Sequence, residues 1–457
     1  MLPSRRLRLA LVLLLGPLGL FATPDAPPEN TPPGPPAATP PNPLARWREN
    51  LPALDAAIAT YDGHLISHEN PHDPLPDFPA SLRAAVSPLL PLFRIEPGEV
   101  LAFDRIHGPE TPFPDHQPLR QLVSLRTVLA RQSLAAGDTA TALSLVRENL
   151  AAARATLLAQ EGIIPLIHAT SVWQSALDGV HALALSPTLS PDSARALLRE
   201  LQADDRLASL AITRALRGEF DYVYRVIVER MPATDDPDLF LSSVSSLGMA
   251  PPEPLQPGEL GLGLTPGHVL LDVPATLAAY EADLAPYLAA LARDSRLPRE
   301  IYPATTARTL DAFRRELGRF LIYASGELPP SLAETTLARA DLLAATNPGG
   351  KLLAVYLTPP WPVLLSSALR RETQRSALCG LLAWRIHGGP TTWEILIAKD
   401  ILPAAPADPF SNAPLPYALG PLPRIWSVYL DARDDGGDPA AGNFGQPDDL
   451  VWRATAD

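Results

Sequence analysis

Apolar residues recur every three to four positions along much of this chain, which is the spacing of an amphipathic helix. The pattern is clearest over residues 119–161, where two apolar faces flank the short turn 135–138. In this turn Gly137 suits a helix C-terminus, and Asp138 suits the N-cap of the helix that follows. The region is therefore predicted to form a helical hairpin.

The same spacing predicts helices on both sides of the hairpin. They span residues 43–61, 163–185, a segment beginning at 191, 207–231, 276–294, 304–325, 330–346 and 359–386. Short apolar runs near the C-terminus predict strands over 415–419, 425–430 and 450–453. The predicted fold class is mainly α: an irregular bundle of helical hairpins with a small C-terminal α+β module of short antiparallel strands.

The N-terminus has the layout of a signal peptide over residues 1–22. Arg5, Arg6 and Arg8 precede an apolar run over 9–21, and small residues follow it. As a helix this run reaches only ~20 Å, short of a hydrocarbon core of ~30 Å. We therefore expect export to the periplasm or beyond and no stable membrane span. An uncleaved N-terminal anchor is the alternative.

Prolines and glycines divide the remaining chain. Residues 23–43 are a proline-rich linker, which favours an extended and stiff spacer. An N-terminal helical domain is predicted over 44–231, a Pro/Gly-rich connection over 232–274, a second helical segment over 275–360 and a C-terminal module over 361–457.

Composition narrows the classes of partner and chemistry. The formal net charge is −13, which argues against a nucleic-acid partner, because phosphates require a basic surface. A protein partner of unknown identity is expected instead. The single cysteine, Cys379, lies in an apolar helical run and is predicted to be a buried structural thiol.

Six aspartates crowd the end of the chain, among three glycines. They are Asp431, Asp434, Asp435, Asp438, Asp448 and Asp449. Like charges this close repel one another, and a Ca²⁺ ion would relieve the repulsion, since it takes six to eight oxygen ligands in irregular geometry. The spacing is not that of an EF-hand. A solvated acidic loop without a metal is the alternative.

The order of residues here resembles the C-terminal end of the major pseudopilins of type II secretion systems. The resemblance rests on Asp408-Pro409-Phe410, Tyr417, Ile425–Val428, Asp431, Gly436-Gly437 and Asp449–Trp452. In that family the loop holds calcium. The resemblance implies that Asp431 and Asp449, which stand at matching positions, bind the ion, and Asp434 and Asp448 complete the candidate set.

Departures from the family pattern accompany this resemblance. Ser411, Tyr429 and Ala432 stand where the family has glycines, and a turn that needs positive φ would be strained at any of them. Several hundred residues replace the N-terminal pilin helix before the module, which argues against a filament subunit. The ending also resembles that of large helical proteins exported by bacteria. In the body, the turn at 135–138 resembles that of tetratricopeptide repeats, without a regular 34-residue period.

A pair of histidines and one glutamate support a catalytic hypothesis. His64 and His68 are spaced as metal ligands on a helix, although the nearby Pro71 favours a surface loop. Glu219 falls on the apolar face of its predicted helix, either as a general acid or base or as the partner of an arginine. We expect an exported binding or scaffolding protein. The alternatives are a secretion-associated component and a periplasmic hydrolase that uses Glu219 or a metal at His64 and His68.

Overall fold

The structure is a computed structural model that describes most of the helical body and much of the C-terminal module. The described residues are 41–59, 79–96, 99–104, 116–205, 207–231, 271–293, 347, 350, 361–411, 413–428, 434, 436–437 and 449–454. Within them the chain is mainly α-helical and ends in a small three-stranded antiparallel sheet, so the predicted fold class is confirmed.

The helices are numbered here in chain order. They are α1 (Leu44–Ala59), α2 (Ala80–Val86), a 3₁₀ turn (Leu90–Phe93), α3 (His116–Ala135), α4 (Thr139–Ala159), α5 (Ile163–Leu185), α6 (Pro191–Ala203), α7 (Leu207–Gly218), a π-helical turn (Glu219–Tyr224), α8 (Arg225–Arg230), α9 (Val273–Arg293), α10 (Trp361–His387) and α11 (Trp393–Ala398). The strands are β1 (Tyr417–Ala418), β2 (Arg424–Ser427) and β3 (Leu450–Arg453).

Helices α3, α4 and α5 pack against one another and form the centre of the body. Their apolar residues make up much of the core, as the helical spacing predicts. On α5, Gly179 lets α4 approach closely, because a Cβ atom there would lie 3.1 Å from a methyl group of Val146. The buried Asn149 of α4 donates to the backbone oxygen of Val123 at 3.0 Å and to the Thr127 hydroxyl at 3.1 Å. Polar contacts therefore fix the orientation of these apolar helices.

The turn between α3 and α4 has the predicted geometry. Gly137 has a φ of 80°, in the left-handed region that favours glycine. The carboxylate of Asp138 then accepts a hydrogen bond from the backbone N–H of Thr141 at 3.0 Å, and this N-cap satisfies one of the open donors of α4.

The predicted helix over 207–231 is interrupted in the structure. Helix α7 ends at Gly218, a π-helical turn follows, and α8 completes the segment. A Cβ atom on Gly218 would lie 2.6 Å from the backbone carbonyl carbon of Glu161, so the chain passes directly over the start of α5. Beyond this point Tyr224 stacks on Tyr280 of α9, with 3.8 Å between the ring centroids.

Helix α10 joins the body to the C-terminal module. It packs on α5 and α6 along its middle, and its C-terminal half carries the sheet. The Gln374 amide donates to the carboxylate of Asp178 on α5 at 2.6 Å. The buried Arg375 guanidinium donates to the backbone oxygen of Leu201 at 2.7 Å and to Asp205 at 2.8 Å. These buried contacts bind α10 firmly to the body.

Some predicted features lie outside the described residues. They are the signal peptide, residues 232–270 of the connection, the helices over 304–325 and 330–346, and the pair His64 and His68. None of the helices among the described residues combines the length and apolar character needed to cross a bilayer.

Candidate functional site in the C-terminal module

The three-stranded sheet of the module lies against α10. Strand β2 occupies the middle, pairing Tyr417 with Ile425 on one side and Ile425 with Trp452 on the other. Gly380 of α10 faces Ile425, and a Cβ atom at Gly380 would lie 2.7 Å from the terminal methyl group of that side chain. Because Gly380 has no side chain, the sheet can pack directly against α10.

Aromatic rings close the other side of this contact. Trp384 of α10 stacks on Trp393 of α11 with 5.7 Å between ring centroids, and Tyr417 meets Trp393 edge-on at 4.9 Å. The indole N–H of Trp393 donates to the backbone oxygen of Leu415 at 2.9 Å, so its polar atom is satisfied inside the core. Helix, ring cluster and sheet therefore form one packed unit.

The carboxylate of Asp408 joins two parts of the module. Its side chain is fully buried and accepts four hydrogen bonds, from two backbone N–H groups and two serine hydroxyls. The donors are Phe410 N at 3.0 Å, Ser411 Oγ at 3.2 Å, Ser427 Oγ at 2.8 Å and Val428 N at 3.1 Å. Burial raises the pKa of Asp408, and the four hydrogen bonds oppose that rise. Asp408 therefore ties the turn at 408–413 to the end of β2.

Ser411 stands where the resembling family has glycine. Its φ is not positive. Within the described part of the chain, Asp400 is the residue other than glycine that has a positive φ. The Ser411 hydroxyl instead donates to Asp408. The strain expected at this position is therefore absent, and the substitution adds a donor to the buried carboxylate.

Two of the four predicted metal ligands, Asp434 and Asp449, lie in the described part of the acidic loop. One oxygen of Asp434 accepts from the indole N–H of Trp426 at 2.8 Å and from the backbone N–H of Gly436 at 3.0 Å. Asp449 is buried at 1% exposure, and its Oδ2 accepts from the N–H of Gly437 at 3.0 Å. Both carboxylates therefore hold the glycine turn by accepting its backbone N–H groups.

The glycine pair has the geometry that the sequence suggests. Gly436 and Gly437 have φ values of 76° and 71°, in the left-handed region. The carbonyl oxygen of Gly436 accepts from the Arg424 guanidinium at 2.9 Å, and that guanidinium lies over the Trp426 ring, 5.7 Å from its centroid. This carbonyl therefore accepts from an arginine.

The residues available to a Ca²⁺ ion match its preference for oxygen. Asp434 and Asp449 supply carboxylates on either side of the glycine turn. Asp431 and Asp448 lie outside the described residues, and among those described no group of three or more side chains is arranged to hold a metal. If the ion binds, it would act by neutralising the repulsion between these carboxylates.

Glu219 has a structural partner in another helix. Its carboxylate accepts from the backbone N–H of Ile163 at 2.9 Å, and so it caps the N-terminus of α5. Burial raises the pKa of Glu219, and the bond from Ile163 works against that rise. Sequence reasoning considered an arginine partner or a catalytic role and missed this capping contact, which depends on the approach of Gly218 to Glu161.

Cys379 is buried and forms no disulfide, in agreement with its prediction as a structural thiol. Burial raises its pKa to about 11, although the neighbouring Arg375 opposes that rise. The thiol therefore stays protonated at neutral pH, and this protonation state does not favour nucleophilic chemistry.

Comparisons with models of protein families, with curated proteins and with solved structures find no match to this chain. The interpretation of the site therefore rests on its own geometry.

Proposed function

We propose that this protein is an exported binding or scaffolding protein, with a helical body and a C-terminal module that forms a calcium-stabilised cap on it. The observation that carries the proposal is the way the module is attached. Helix α10 is held to α5 and α6 through Gln374 and Arg375, and the same helix carries the sheet. A cap fixed in this way would present its acidic loop at a constant position on the body.

Further contacts between body and cap support this geometry. The guanidinium of Arg385 donates to the backbone oxygen of Leu189, in the loop between α5 and α6, at 3.0 Å. His181 of α5 lies with its Nε2 atom 3.5 Å from the backbone oxygen of Arg453 in β3. Within the cap, the hydroxyl of Ser376 on α10 donates to the backbone oxygen of Ala407 at 2.7 Å. Both α10 and β3 therefore contact the body, and α10 also contacts the loop that precedes the sheet.

The role of calcium follows from the charges in the acidic loop. Asp434 and Asp449 are close to the same glycine turn, and Asp431 and Asp448 are near them in sequence. Asp434 and Asp449 accept from neutral N–H groups of Trp426, Gly436 and Gly437. Such neutral donors offset the desolvation of a charge only in part. A bound cation would offset the remaining repulsion and stabilise the cap.

The test is a calcium titration of the full-length protein against an EDTA control, followed by thermal unfolding. Millimolar calcium is expected to raise the melting temperature by several degrees, as for any ligand that binds only the folded state. Asp431→Ala and Asp449→Ala should abolish the shift, and Asp434→Ala should reduce it. Asp192→Ala is the matched control, because that aspartate side chain is 95% exposed on α6. An equal melting temperature in calcium and EDTA would remove the ion from the proposal.

Export is tested separately by cell fractionation and N-terminal sequencing of the mature protein. Cleavage after the apolar run and recovery outside the cytoplasm are expected. Deletion of residues 1–22 should retain the protein in the cytoplasm. Recovery of the full chain in the cytoplasm would contradict export and would leave the calcium result unaffected.

A second candidate function is a component associated with type II secretion. It is favoured by the left-handed Gly436-Gly437 turn and the buried Asp449, which stand at positions matched by the resemblance. Deletion of the gene in its host should then lower the secretion of type II substrates, and complementation with the intact chain should restore it. Unchanged secretion would exclude this role.

A further inference from the structure

A charged cluster in the body, remote in sequence from the C-terminal module, contains a guanidinium that the protein leaves partly unpartnered. Arg126 of α3 is completely buried, at 0% exposure. Its Nη2 atom donates to the backbone oxygen of Leu90 at 2.9 Å and lies 3.3 Å from the Glu148 carboxylate. Its Nε and Nη1 atoms are buried and meet no acceptor within the described residues.

Arg126 remains charged despite its burial. Burial lowers the pKa of Arg126, Glu148 raises it and the nearby Arg94 lowers it, and together these effects bring it to about 10. The group therefore holds its proton at neutral pH. A buried charge with unmet N–H donors is costly, and native proteins normally provide an acceptor for such groups.

Glu148 does not neutralise the cluster, because two arginines share it. The Arg94 guanidinium donates to the same carboxylate at 2.9 Å. Two positive groups and one negative group leave an excess of one positive charge at the junction of the 3₁₀ turn, α3 and α4. In a protein whose formal net charge is −13, this is a local exception.

The cluster extends from the interior to the surface. Side-chain exposure rises from 0% at Arg126 to 14% at Glu148 and 49% at Arg94. The exposed Arg94 is therefore the side of the cluster that an ion from solvent would meet first. The remaining donors on Arg126 and the excess of a single charge favour a monovalent anion over a divalent one.

We propose that the Arg94–Glu148–Arg126 cluster binds a small monovalent anion of the halide class, which accepts hydrogen bonds from Arg126. The bound anion balances the charge of the cluster and fixes the 3₁₀ turn between α2 and α3. The site is separate from the acidic loop, which would take a cation.

Bromide is the probe, because its anomalous scattering identifies it in a crystal. Crystals of the full-length protein grown or soaked in sodium bromide are expected to show an anomalous peak within hydrogen-bonding reach of Arg126 Nη1. A water molecule there without anomalous signal would overturn the proposal. So would a peak confined to the exposed side of Arg94, which would indicate an adventitious ion only.

Thermal unfolding in solution gives a second readout. At constant ionic strength, replacing sodium gluconate with sodium bromide should raise the melting temperature of the wild type with saturation. Arg126→Met, which replaces the buried charge with an apolar side chain of similar length, should show no saturable rise. Glu148→Gln should bind bromide about tenfold more tightly, because it removes a competing negative charge. Identical bromide curves for all three proteins would contradict the site.

Discussion

The helical body and the C-terminal module are stabilised in different ways. In the body, apolar side chains at helical spacing fill the core. Polar residues such as Asn149 and Thr127 then form hydrogen bonds between helices that already pack through their apolar faces. The sheet of the module has ten strand residues, and its turns are fixed by aspartates that accept backbone N–H groups. Periodicity therefore accounts for the body, whereas individual carboxylates account for the module.

The largest effect is expected at Asp408, where the module depends on one buried side chain. Asp408→Ala leaves four donors without their acceptor, which should lower the free energy of unfolding by about 3–5 kcal/mol. Urea denaturation measures this loss. Asp408→Asn keeps one acceptor oxygen and the shape of the side chain, so it should cost less than the alanine variant. Equal stability of wild type and Asp408→Ala would contradict the central place given to this carboxylate.

A smaller effect is expected in the body at Gly218. Gly218→Ala places a methyl group 2.6 Å from the backbone of Glu161, and backbone cannot move aside as a flexible side chain can. We expect a loss of about 1–3 kcal/mol, measured as a lower melting temperature. Gly420→Ala is the matched control, because a Cβ atom there would meet nothing within 4 Å. Equal losses in the two variants would show that the close approach over α5 does not limit stability.

The smallest effect concerns Glu219 and depends on pH. Because burial raises its folded-state pKa, the folded protein holds this proton more tightly than the unfolded chain. The contribution of this bound proton to the free energy of unfolding is fully present below the pKa of Glu in the unfolded chain, about 4.3. It is lost as the pH rises through the pKa of Glu219 in the folded protein. Glu219→Gln is always neutral and still accepts from Ile163, so it should lack this loss.

The measurement is the free energy of unfolding of both proteins between pH 4 and pH 8. The variant should match the wild type near pH 4 and be more stable than the wild type at pH 8. If the free energies of unfolding of the two proteins change in parallel with pH, burial of the Glu219 carboxylate does not destabilise the folded state. If Glu219 instead serves a hydrolase, the same variant should abolish a hydrolytic activity that the stability measurement does not register.

Among the described residues the sequence predicts the long helices, because each carries its own periodic signal, whereas the short helices α2 and α11 were not predicted. Helix α5 spans the predicted residues, and the hairpin of α3 and α4 has the predicted turn at Gly137 and Asp138. The predicted helix over 207–231 missed the π-helical turn, since that turn accompanies the contact between Gly218 and Glu161. No local pattern contains such a contact between distant residues.

The site was predicted less fully for the same reason. The aspartates and the glycine pair were identified, and Asp434 and Asp449 each accept from one N–H of the Gly436-Gly437 turn. The role of Asp408 was missed, although Asp followed by Pro is typical of the start of a turn in which the aspartate accepts nearby N–H groups. Its bonds to Ser427 and Val428 cross 19 and 20 positions of sequence, and spacing alone does not reveal them.

Hydrogen exchange at the Val428 amide tests the central claim most directly, because that N–H donates to Asp408 at the junction between turn and sheet. In the wild type at neutral pH this amide should exchange as slowly as core amides of α5. In Asp408→Ala it should exchange at least tenfold faster, while the α5 amides keep their protection. Rapid exchange of Val428 in the wild type, or an unchanged rate in the variant, would contradict the account of a module held by its buried carboxylate.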